Sequence, residues 1–168
     1  MLQHLMTQQP YFALKLLAAL GCGLVAGVFF AFSTFVMNAL ARLEPKQGIG
    51  AMQAINITAI NLLFMLVLFG TAALCLLLAV SSFFTWHQPG AVYLLVGSLL
   101  YLIGTVIVTI AFNVPLNDAL ATVKPDSADG ASLWSHYLTH WTTWNHIRTV
   151  AALAASAVLT IALCDRAA

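Results

Sequence analysis

Three runs of more than twenty residues, 16–37, 57–80 and 91–112, contain no Asp, Glu, Lys or Arg, and a fourth uncharged run of 16 residues occupies 149–164. A helix needs about 20 apolar residues to cross about 30 Å of hydrocarbon. The first three runs are long enough, and the second is interrupted only by Thr58, Asn61 and Thr71. The fourth covers roughly 24 Å at 1.5 Å per residue, which is too short to span alone. Its helix is therefore expected to begin upstream, near Trp141 or Trp144, drawing Asn145, His146 and Arg148 into the membrane boundary. Four spans with short connections predict an all-α integral membrane four-helix bundle, up-down-up-down. The whole chain, 1–168, reads as one transmembrane domain with spans at about 16–37, 57–80, 91–112 and 144–164 and a polar loop at about 117–133.

Composition closes the other routes. Hydrophobic residues make up 62% and charged residues 7%, against about 45–50% and about 25% in an average soluble domain. Five acids and six bases cannot cover a soluble globule of this size. A net charge of +1 with no basic run excludes a nucleic-acid surface. Cys22, Cys75 and Cys164 form no C-x-x-C pair and read as small apolar fillers. Gly23-x-x-x-Gly27 reads as a close-packing motif. It and the aromatics of the last helix are the two candidate surfaces for a homo-oligomer. Beyond the spans, 47–56 reads as helical after Pro45, and Ser132 is a candidate cap for the helix leading into the fourth span. By the positive-inside rule, Arg42, Lys46, Lys124 and Arg148 outweigh Lys15 and Arg166 and place the longer connections in the cytoplasm.

Polar side chains are costly in lipid, so their placement carries the functional information. Alternating topology brings four regions to one end. They are the end of span one (Ser33, Thr34, Asn38), the approach to span two (Gln53, Asn56, Asn61), the end of span three (Asn113, Asn117, Asp118) and the approach to span four. The last region holds Trp134, Tyr137, His140, Trp141, Trp144, Asn145, His146 and Arg148. The other end of the bundle is almost wholly Leu, Val, Ala and Phe. Trp134, Tyr137, Trp141, Asn145 and Arg148 recur at steps of three and four, within a stripe roughly 80° wide on a helix. Asn113 and Asn117 share a face, and so do Gln53 and Asn56. Such stripes can line one inward pocket, or they can be an interhelical network that only holds the bundle together. Arg148 can snorkel to headgroups, pair with Asp118, or hold an anionic oxygen.

Competing redox chemistries lack their residues. There are no paired cysteines for disulfide exchange. Spans one to three contain no histidine for a haem, and only His136-x-x-x-His140 has metal-ligand spacing, with His146 roughly 120° away from His140 around the helix. No metal or cofactor is expected, and a metal-dependent enzyme using His136, His140 and His146 stays open as a third reading.

Asn113-Val-Pro-Leu-Asn117-Asp118, followed by Trp134, Tyr137 and Trp141-Thr-Thr-Trp144-Asn145-His146-Ile-Arg148, resembles the anthrone oxygenase-like family of small membrane proteins. The segment from Gly27 to Ser33, with Met37 and Leu40, and Gly50-Ala-Met52-Gln53-Ala-Ile-Asn56 resemble its first half, so the likeness runs over roughly 16–164. The resemblance implies a bacterial inner-membrane protein. It also implies oxidation of a lipophilic polycyclic anthrone to a quinone by molecular oxygen. On that expectation His140, His146 or Asp118 removes a proton from the carbon opposite the carbonyl. Arg148, with Asn113, Asn117 and Asn145, stabilises the enolate oxygen, and Tyr137, Trp141 and Trp144 stack on the flat substrate, with Asn56 nearby. The alternative from the residues alone is a non-catalytic membrane bundle that binds a small lipophilic ligand or a partner helix.

Overall fold

The computed structural model describes residues 2–165, with side chains described from residue 11 onward. Arg166, counted above for orientation, lies outside the described residues. The described residues form five helices in an all-α bundle. Helix α1 (Leu2–Ala31) continues through a π-helical turn (Phe32–Val36) into Met37–Leu40. Helix α2 is Pro45–Ala59 and α3 is Leu62–Phe84. Helix α4 is Ala91–Thr122, with π-helical stretches at Leu102–Ile107 and Thr109–Asn113, and α5 is Ala128–Cys164. All but α2 include a segment long and apolar enough to cross a membrane.

Three boundaries differ from the sequence expectation, each for a local reason. The run 57–80 is not one helix. Ile60 leaves helical geometry (φ −82°, ψ 63°) and Asn61 is extended (φ −114°, ψ 157°). Asn61 serves both sides of the break: its Oδ1 accepts from the Phe64 N–H at 3.0 Å and its Nδ2 donates to the Thr58 carbonyl at 3.0 Å. A single amide thus satisfies an orphan donor and an orphan acceptor, the groups any interrupted helix leaves open. The polar loop expected over 117–133 shrinks to 123–127, because α4 runs on to Thr122 and α5 starts at Ala128. The cap of α5 is Ser127 rather than Ser132; its Oγ accepts from the Gly130 N–H at 3.0 Å. Between α3 and α4, Gly90 has φ +83°, a left-handed turn conformation that a side chain would strain.

Helix α5 is the hub, packed on α1 and α4, while α3 packs on α1 and α4 from the other side. Helices α1 and α5 run antiparallel, with Ser33 Oγ 3.1 Å from Thr149 Oγ1 and Ser156 Oγ donating to the Ala19 carbonyl at 2.8 Å. Close approach depends on glycines other than the expected pair. Gly97 faces Leu159 and Gly104 faces Ala151, so that an added Cβ would meet those side chains at 2.9 and 2.5 Å. Gly23 lies against Ser156, but Gly27 faces open space. The Gly23-x-x-x-Gly27 spacing therefore does not mark a two-glycine packing seam within this chain.

Two apolar cores result. One joins Ala18, Cys22, Val25, Leu68, Cys75, Leu78, Tyr101, Ala155 and Leu159. The other joins Met37, Leu40, Ile49, Met52, Leu120, Trp134, Tyr137 and Trp141 at the end where α2 packs against α5. Outward positions are apolar too, from Leu20 and Phe35 to Leu62 and Leu63. A surface of that kind suits a lipid environment.

Candidate functional site

Between the two cores lies a belt of buried polar groups centred on α5. Its backbone reason is the stripe at 141, 145, 148 and 149, whose three- and four-residue steps keep one face of α5 inward. Arg148 is 6% exposed, Asn145 0% and Asn113 1%. Opposite them on α4, Thr105, Thr109 and Asn113 repeat every fourth residue, and this is the stretch where α4 is π-helical. On α1 the belt meets Ser33 at the π turn. Both helices that face the polar stripe of α5 thus widen at its level, a local irregularity often found at functional sites.

The guanidinium of Arg148 is held on several sides. Its Nε donates to Asn145 Oδ1 at 2.9 Å, and Nη1 donates to Thr109 Oγ1 at 3.3 Å. Its central carbon lies 3.9 Å from the Phe29 ring centroid and 4.9 Å from that of Trp141, a cation–π setting worth more when desolvated. Two of its five N–H groups are thus used, and three have no protein acceptor among the described residues. No carboxylate among the described residues pairs with it, so the ion pair with Asp118 considered from the sequence does not form.

Asn145 ties the belt to α1. Its Nδ2 donates to the Phe29 carbonyl at 2.8 Å and to Ser33 Oγ at 2.7 Å. Thr149 Oγ1 donates to the Asn145 carbonyl at 2.6 Å. The Ser33–Thr149 contact then closes a ring of bonds, with Ser33 donating to Thr149. Asn113 Nδ2 donates to the Trp141 carbonyl at 3.1 Å, but Asn113 Oδ1 is buried and has no hydrogen-bond partner. Thr105 Oγ1 donates to the Arg148 carbonyl at 3.3 Å.

One turn further toward the connections, Asn117 Oδ1 accepts from both the Tyr137 hydroxyl and Trp141 Nε1, each at 2.8 Å. Asn56 on α2 approaches the same Tyr137 hydroxyl. Gln53 Nε2 donates to the Leu120 and Val123 carbonyls at 2.8 and 3.0 Å, pinning α2 to the end of α4. Trp134, Tyr137 and Trp141 stack in sequence, with Phe32 tilted against Trp141.

Of the eleven residues given catalytic or substrate-binding roles from the sequence, seven come together here, namely Asn56, Asn113, Asn117, Tyr137, Trp141, Asn145 and Arg148, and Ser33, also placed at this end by the sequence, joins them. Trp144 turns toward the outer side of α4, stacked on Phe112 at 3.6 Å. His140, His146 and Asp118 are exposed and stand apart from the belt. His136 and His140 lie against each other, ring centroids 4.0 Å apart, on the outer face of α5. No group of three metal-binding side chains occurs among the described residues. Thr105, Thr109, Thr149 and Phe29 join the site without being candidates from sequence. The 105–109–113 spacing is visible as a polar repeat in an apolar run. The roles of the Phe29 ring and carbonyl are not, since nothing in a phenylalanine's sequence neighbours marks either.

A family model described as anthrone oxygenase matches residues 63–158, which takes in nearly all of α3, the whole of α4 and most of α5. No curated protein and no solved structure matches the chain.

Proposed function

The chain belongs to the anthrone oxygenase family, and from that premise we propose that it is an integral membrane oxygenase-like protein oxidising a lipophilic, anthrone-type polycyclic aromatic with molecular oxygen. The observation that carries the reading is Arg148: a buried cation with no carboxylate partner among the described residues, flanked by amides and aromatic rings, with N–H donors to spare. A buried charge left without a counter-ion is expensive, so a site that keeps one suits a ligand that brings or develops negative charge.

The proposed step is balanced in substrate and dioxygen. An anthrone loses a proton from the carbon opposite its carbonyl, and the negative charge collects on the carbonyl oxygen. Arg148, oriented by Asn145, holds that oxygen and lowers the energy of the anion. The electron-rich carbon then adds to dioxygen and, with one proton, gives a hydroperoxide. Loss of water from it, breaking the O–O bond and the remaining C–H bond, leaves the quinone. One anthrone and one dioxygen give one quinone and one water. The buried rings of Tyr137 and Trp141, stacked on one another beside the belt, give it the aromatic surroundings that a flat substrate favours. His140, His146 and Asp118 stand off the belt, so the reading places the chemical burden on stabilising the anion rather than on a buried base.

The test is oxygen uptake by detergent-purified protein with anthrone, metal content recorded. Uptake above the uncatalysed rate is expected for the parent and is expected to fall at least tenfold in Arg148→Met and Asn145→Ala. Uptake equal in all three folded proteins overturns the assignment of Arg148. A second reading, a non-catalytic bundle binding a lipophilic ligand or a partner helix, is favoured by one observation. The ring of bonds through Asn145, Ser33 and Thr149 is closed on itself, as a purely structural network would be. No uptake with anthrone brings that reading forward.

A further inference from the structure

The belt contains unused hydrogen-bonding capacity of both signs. Arg148 offers N–H donors, and one turn of α4 beyond its partner Thr109 stands Asn113, whose Oδ1 is buried and unpartnered. The orientation of this amide is fixed. Its Nδ2 donates to the Trp141 carbonyl, and turning the amide over would set two oxygens against each other. Asn113 Oδ1 is therefore an acceptor that needs a donor, and leaving it unmet in a buried setting is unfavourable. It sits at the last residue of the second π-helical stretch of α4. The adjacent Trp141 is the residue whose ring also faces the Arg148 guanidinium.

We propose that Asn113 is a specificity-determining residue: its Oδ1 accepts a hydrogen bond from a hydroxyl carried by the aromatic ligand whose carbonyl oxygen is held by Arg148. The inference rests on the polycyclic-aromatic reading above and adds to it the feature by which the site chooses among such ligands. A ligand with a free hydroxyl placed away from its carbonyl satisfies both ends of the belt. A ligand without one leaves Asn113 Oδ1 buried and unpaired. Sites built to bond a hydroxyl discriminate strongly against the analogue that lacks it.

Binding tests this without turnover. Quenching of tryptophan fluorescence in the full-length, detergent-purified protein would be titrated with three probes: anthraquinone, 2-hydroxyanthraquinone and 2-methoxyanthraquinone. The hydroxyl compound is expected to bind at least tenfold more tightly than either of the others, since the methoxy group fills similar space but donates nothing. In Asn113→Leu that ratio is expected to fall to within about twofold of one. A purely structural role for Asn113 would weaken all three probes alike and leave the ratio intact, which overturns the proposal. Equal affinity of the parent for all three probes also overturns it, and assigns Asn113 Oδ1 to a resident water instead. The aromatic-ligand reading would survive both of those results. Absence of binding by any of the three probes, with the parent folded, sinks that reading and this inference together. Because the probe comparison is made on the parent protein, it stands even if Asn113→Leu does not fold.

Discussion

Removing the Asn145 side chain should destabilise the protein more than the loss of any one hydrogen bond would suggest, because it strands a charge. In Asn145→Ala three bonds go: those to the Phe29 carbonyl, to Ser33 Oγ and from Arg148 Nε. Polar contacts between membrane helices average about 0.6 kcal/mol each, which gives roughly 1 kcal/mol for the two bonds to α1. Most of the damage falls on Arg148, which is 6% exposed and loses its shortest side-chain bond. A hydrogen bond to a charged group is worth about 1.5–3 kcal/mol. Counting that bond at the charged value, the expected loss is about 3–4 kcal/mol. The assay is reversible unfolding in mixed micelles, followed by circular dichroism. A double variant should behave accordingly. If the damage in Asn145→Ala is mainly a stranded cation, then removing the cation should recover part of it. Asn145→Ala with Arg148→Met should be more stable than Asn145→Ala alone by at least about 1 kcal/mol, as when a buried charge is replaced by an apolar group of similar length. A single-variant loss below about 0.5 kcal/mol, or strict additivity in the double variant, would refute the claim that Asn145 exists to hold Arg148.

Other outcomes follow from the same geometry. Tyr137→Phe removes one of the two bonds received by Asn117 Oδ1 and should lower stability by about 1 kcal/mol, measured by the same unfolding assay; a larger loss would mean that the approach of Asn56 also counts. His140→Ala, His146→Ala and Asp118→Asn should each keep oxygen uptake within about twofold of the parent, because all three side chains are exposed and off the belt; a tenfold fall in any one would restore it as the base. Gly97→Val should destabilise by roughly 1–3 kcal/mol, since its Cβ would already sit 2.9 Å from Leu159 Cγ, whereas Gly27→Val, facing open space, should leave the melting temperature unchanged.

What the sequence made legible and what it hid divide along a physical line. Residue-type patterns with a helical period could be read. The apolar runs revealed the four long helices, and the steps from Trp134 to Arg148 revealed the inward face of α5, because a side chain's direction on a helix follows from spacing alone. The structure adds that this face is buried along its length. Departures from helical period could not be read. Asn61 looked like a tolerated polar residue inside a span, and only its bonds in both directions show it as the place where the helix stops and restarts. The π-helical turns of α1 and α4 left no mark in composition. The candidate bases illustrate the same limit. His140 and His146 shared a segment with Arg148 and so seemed to share its site, yet each is a step off the buried stripe, and at 100° per residue one step is enough to leave the interior. Proximity in sequence located the segment, and phase on the helix decided the site. Asn113 shows the limit from the other side: its phase put it inward, but only the bond of Nδ2 to the Trp141 carbonyl determines which end of the amide is left over. The chemistry assigned to Asn113, acceptor rather than donor, is therefore a tertiary property that no reading of spacing could supply.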